Sequence, residues 1–131
     1  MSVKTASIII GILFLLTGIL GFFENPLVGE SDNAIFHADA FHNYVHIGSG
    51  VLFLLFAMAA PGVTTGFMIL FGLVYLGLGI WGFMKTGEGG MTELLGVLHV
   101  NPADNYLHIG LGLLIILLAM VARKAPVTRL A

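Results

Sequence analysis

Five histidines stand in this 131-residue chain, and four recur as pairs 62 positions apart: His37 with His99, and His46 with His108. The second pair sits in a repeated motif, Asn43-Tyr44-Val45-His46-Ile47-Gly48-Ser49-Gly50 and Asn105-Tyr106-Leu107-His108-Ile109-Gly110-Leu111-Gly112. In a helix, residues three and four apart share a face, so Asn43, His46 and Gly50 line one stripe, as do Asn105, His108 and Gly112. Three chemistries fit that stripe. Asn43, and Asp104 with Asn105, can start their helices as N-caps, with His46 and His108 hydrogen-bonding across a bundle. Alternatively His46 and His108 are the two axial ligands of a haem b, flanked by Asn43 and Asn105, with Gly50 and Gly112 leaving room for the porphyrin. On the outer side only Lys85 is available to meet haem propionates. In the third reading His37, Asp39, His42 and His46, recurring as His99, Asn101, Asp104 and His108, hold a transition metal. Zinc, copper, iron and manganese all accept such nitrogen and oxygen ligands. His42 and His46 chelate one ion if their helix reaches back to Phe41.

Other chemistries find no support. The chain has no cysteine, which removes disulfides, thiolate sites, cysteine nucleophiles and covalent c-type haem. Ser49 has Leu111 as its counterpart, against a symmetric nucleophile. Glu24, Glu30, Asp32, Glu88 and Glu93 stand in loops without paired carboxylates, and no glycine-rich phosphate loop is present.

The elements that must position these residues follow from composition. The chain is 58% hydrophobic, with five basic and seven acidic side chains, too few to wet a soluble domain of this size. Mean hydropathy is +1.03, and a net charge of −2 without a basic cluster excludes nucleic-acid binding. The expectation is an all-α membrane protein whose solvent and first partner is the lipid bilayer. Uncharged stretches predict four transmembrane helices, about Ser7–Phe23, Asn43–Ala60, Thr65–Met84 and Asn105–Val121, with Ala60-Pro61-Gly62 breaking the middle stretch. Lys4, Arg123, Lys124 and Arg129 put both termini in the cytoplasm by the positive-inside rule, and both long loops outside. The first span is read as retained rather than cleaved, since Glu24-Asn25-Pro26 follows Phe23. Trp81 reads as an interfacial anchor.

The repeat extends beyond the motif. His37–Met58 aligns without gaps on His99–Met120, with half of the 22 positions identical. Gly11, Gly18, Gly21 and Phe22 align on Gly72, Gly79, Gly82 and Phe83 at an offset of 61. The chain therefore reads as two tandem helical hairpins, residues 1–62 and 63–131, in one integral bundle. Two spans per unit give parallel repeats, related by an axis along the membrane normal. Many of the eighteen glycines fall within the apolar stretches, as close helix packing in lipid requires.

This layout resembles the small four-helix bacterial membrane proteins grouped as domain of unknown function 4383. The resemblance rests on Gly18-Ile19-Leu20-Gly21-Phe22, on His42-Asn43-Tyr44-Val45-His46-Ile47-Gly48, and on Ala103-Asp104-Asn105-Tyr106-Leu107-His108-Ile109-Gly110-Leu111-Gly112. It covers most of the chain, implies a bacterial membrane protein, and brings no established activity. The leading functional expectation is non-enzymatic: a scaffold or accessory subunit in the bacterial inner membrane, packing as a homo-oligomer or within a larger complex. A bis-histidine haem b electron carrier and an outer-face metal-binding protein are the alternatives.

Overall fold

The computed structural model describes residues 1–86 and 89–122. Glu88, Arg123, Lys124 and Arg129, on which part of the charge argument rests, lie outside the described residues. Four helices dominate: α1 (Val3–Leu20), α2 (Ala40–Phe56), α3 (Pro61–Thr86) and α4 (Pro102–Val121). Between them run four short strands: β1 (Val28–Gly29), β2 (Phe36–His37), β3 (Thr92–Leu94) and β4 (Leu98–Val100). By length and composition α1, α3 and α4 can each cross a membrane, while α2 is an apolar helix of 17 residues.

Local chemistry sets the helix starts earlier than the uncharged stretches suggest. The Asp39 carboxylate accepts the His42 backbone N–H at 2.9 Å and caps α2. Asn101 caps α4 in a reciprocal box: its side chain accepts the Asp104 N–H, and the Asp104 carboxylate accepts the Asn101 N–H at 2.8 Å. Asn43 and Asn105, expected as caps, instead lie buried inside their helices. Pro61 does not close a helix but opens α3, a first-turn position where its missing N–H costs nothing. A division of the chain after residue 62 thus falls in the first turn of α3.

Helices α1 and α2 pack as one close hairpin, α3 and α4 as another, and contacts between the hairpins are sparser. The same glycine contacts recur in both. A Cβ on Gly50 would stand 2.7 Å from the Gly11 carbonyl oxygen, and one on Gly112 would stand 2.6 Å from that of Gly72. Gly18 and Gly79 likewise meet the backbones of Ile47 and Ile109. Absent side chains let the backbones touch, which is how helices associate where hydrophobic burial supplies no drive. Aromatic rings join the hairpins: Phe14 of α1 and Phe53 of α2 meet Phe71 of α3, and Phe14 meets Tyr75 edge-on at 5.2 Å. Buried hydroxyls are satisfied by carbonyls, Ser7 on Phe53 and Thr64 on Phe56, both at 2.7 Å.

The strands lie in the two long loops. β1 pairs with β2 in parallel, and β3 with β4 in an antiparallel hairpin, Leu94 opposite Leu98. Leu95 and Gly96 turn that hairpin with φ of 56° and 71°, the left-handed pair that matches the twist of its strands. The loops are tied to each other: Asn101 donates to the Ile35 carbonyl at 3.0 Å, and the His37 N–H reaches the Asp104 carboxylate at 3.2 Å. Both loops therefore cap one end of the bundle. Ser2 and Lys4 share a small cleft with Ala59 and Pro61 at the α2–α3 connection, so the N-terminus lies with that connection.

Candidate metal centre

Because Asp39 starts α2 at Ala40, the first turn contains His42, and the condition for pairing it with His46 is met. The two imidazoles lie one turn apart with ring centroids 4.5 Å from each other. From α4 comes His108, whose ring lies 5.8 Å from that of His42. One ligand nitrogen from each of the three falls within 4.8 Å of the others. All three residues are buried, with 1%, 7% and 2% of their surface exposed. The Nδ1 atom of each has no hydrogen-bond partner. A buried polar atom left unpaired costs about 1–3 kcal/mol, so three such imidazoles clustered together form an expensive arrangement for packing alone.

Aromatic walls surround the centre. Phe14 stands 5.9 Å from the His46 ring, and Tyr75 meets His108 edge-on at 5.2 Å. Phe14 and Tyr75 align at the offset of 61, so each histidine of the recurring pair faces the corresponding residue of its own hairpin. Below the histidines a cavity of about 340 Å³ runs between α1 and α4.

The remaining sequence candidates have other places. His99 donates from Nδ1 to Asp39 Oδ2 at 2.8 Å, and Glu93 lies 3.7 Å from its other nitrogen. Burial pushes the Asp39 carboxyl up, but the His42 N–H and the His99 imidazole outweigh it and hold the pKa below the ordinary aspartate value. His37 reaches Asp104 through its backbone N–H. These four, His37, Asp39, His99 and Asp104, tie the loops over the centre, and none belongs to the three-nitrogen cluster. Asn43 and Asn105 press their side-chain oxygens against Gly21 and Gly82, which leaves both oxygens without hydrogen bonds. The room for a porphyrin expected beside Gly50 and Gly112 is taken by the Gly11 and Gly72 backbones.

The sequence paired His42 with His46 as chelators of one ion, and His46 with His108 across the repeat, but did not bring all three to one point. The signal for His42 was its spacing of four from His46 behind a capping Asp39. The aromatic walls were visible only as an aligned pair, Phe14 and Tyr75.

A mostly helical chain of paired helices, three of them long and apolar enough to cross a membrane, with three histidines meeting under the loops, defines a small four-helix protein. It belongs to the family described as domain of unknown function (DUF4383), whose model matches residues 4–121. No curated protein matches the chain, and no solved structure does.

Proposed function

We propose that this is an integral membrane protein that binds one divalent transition-metal ion through His42, His46 and His108, in a bundle built from two duplicated hairpins. The observation that carries this reading is the cluster of three buried imidazoles, each offering one ring nitrogen within 4.8 Å of the others and each with its Nδ1 unpartnered. Neutral nitrogen donors suit zinc, and also cobalt, nickel, copper or ferrous iron. Tetrahedral zinc holds its nitrogens about 3.3 Å apart, so binding draws the rings together by at most about 1.5 Å, within reach of imidazole rotation. Three protein ligands leave a fourth position for water or another molecule, the pattern of reactive rather than structural zinc. The loop end faces outward and the N-terminus the cytoplasm, in the orientation that the basic residues favour.

The scaffold reading drew on glycine faces open to a partner. Most helical glycines of those faces are consumed within the hairpins, where the partner is the chain's own next helix. Haem finds its expected space filled, as described above. Geometry therefore favours the metal.

The test is elemental analysis of detergent-extracted protein, with cobalt substitution as a spectroscopic check. We expect close to one metal per chain, and a tetrahedral Co(II) visible band. His42→Ala, His46→Ala and His108→Ala should each abolish the band, while His37→Ala and His99→Ala keep it. Metal-free wild-type protein that gives no cobalt band overturns the reading. Protons compete for the imidazoles, so metal should be retained at pH 7.5 and released on strong acidification.

A further inference from the structure

The cavity between α1 and α4 has an unusual lining. Leu13, Leu111, Leu114 and Leu118 form its walls, and His46 and His108 stand at its head beside Tyr75. Among the described residues no Asp, Glu, Lys or Arg lines it. Leu13 and Leu114 are themselves exposed on the bundle surface, so the cavity communicates with whatever surrounds the helices. Its volume of about 340 Å³ lies in the range of small-molecule sites, roughly 300–1,000 Å³. At the head, two buried imidazoles carry unpartnered nitrogens, the residues proposed above as metal ligands.

We propose that this cavity binds a neutral, lipid-soluble quinone, with its hydrocarbon tail along the leucines and one ring oxygen at the fourth position of the metal. This rests on the metal reading. An uncharged lining excludes a phosphate or carboxylate head, because either would be buried without a cation. A planar aromatic head suits the flanking rings of Phe14 and Tyr75, which favour offset or edge-on contact with another ring. A carbonyl or hydroxyl oxygen is a ligand for which a three-nitrogen metal leaves space. The tail beyond the head lies on apolar helix surface that continues into the surrounding lipid, so long and short chains fit alike.

The Co(II)-substituted full-length protein in detergent tests both levels separately. Decyl-benzoquinone should change the cobalt band saturably, whereas palmitate and phosphatidylglycerol should leave it unaltered. Leu114→Trp and Leu13→Phe should narrow the cavity, keep the cobalt band, and weaken the quinone response at least about tenfold. Retention of the band shows that each variant is folded around its metal. A band that ignores the quinone, or that answers palmitate or phosphatidylglycerol equally well, overturns the quinone proposal and leaves the metal in place. Absence of any cobalt band in the wild-type protein overturns the metal centre and the quinone with it.

Discussion

At the aligned N3 position of their helices, α2 carries His42 and α4 carries Asp104, while the caps before them are Asp39 and Asn101. The acid and its neighbour have in effect exchanged places. In α4 the acid at N3 closes a capping box. In α2 the acid at the cap frees N3 for an imidazole, and that exchange adds a third nitrogen to the His46–His108 pair. Asp39 is consequently both cap and partner of His99. Its pKa is depressed in the folded chain, so ionised Asp39 stabilises the fold above the unfolded aspartate value near 3.9. That contribution is lost as pH falls through the lower folded pKa. Asp39→Ala should therefore cost about 1–2 kcal/mol at pH 7, a typical loss for a cap, and distinctly less at pH 3. Unfolding of the two proteins at both pH values checks this; an equal gap at both would remove ionisation from the account.

At the scale of elements, the glycines divide into two sets that the sequence alone could not separate. Gly110 and Gly112 stand in the same motif, two residues apart. A Cβ on Gly110 meets nothing within 4 Å, whereas one on Gly112 meets the backbones of Gly72 and Leu76 at 2.6 Å. Gly112→Ala must force α3 and α4 apart and should destabilise by about 1–3 kcal/mol, the usual cost of overpacking. Gly110→Ala should be neutral or slightly stabilising, because alanine is the better helix former. Denaturation in mixed detergent distinguishes the pair, and equal effects would refute the packing assigned here. Much of this level was legible beforehand. Uncharged stretches marked four helices, and Gly18, Gly21, Gly79 and Gly82 read as close-packing faces, whereas Gly50 and Gly112, read as room for a porphyrin, press on the Gly11 and Gly72 backbones. Helix starts were misplaced because hydropathy does not register caps such as Asp39 and Asn101. The convergence of His42 on His108 was not legible either: it depends on how α2 meets α4, and helices apolar all round carry no periodicity that names the inward face. The paired strands in the loops escaped for a related reason, being only two or three residues long.

For the whole molecule, the hydrogen bonds between loops turn topology into a single choice. Asn101 to Ile35, His37 to Asp104 and His99 to Asp39 fasten the first loop to the second. The two loops must then emerge on the same side of any membrane the helices cross, with Ser2 and the α2–α3 connection on the other. Acidic side chains at Glu24, Glu30, Asp32 and Glu93 mark the loop end, and Lys4 marks the opposite one. Lys85 at the loop end balances Lys4, so the proposed orientation with the loops outward rests on Arg123, Lys124 and Arg129 following α4 in the sequence. Because the chain has no cysteine, single cysteines report position without background. Asn33→Cys and Met91→Cys, both exposed in the loops, should react with a membrane-impermeant maleimide in intact cells. Ala60→Cys, exposed at the α2–α3 connection, should react only after permeabilisation. The reverse pattern would invert the orientation while leaving the fold intact. Labelling of residue 33 and residue 91 from opposite sides would do more, since tied loops cannot be parted by a bilayer. It would remove the capped end of the bundle, and with it the shared roof under which the three histidines meet.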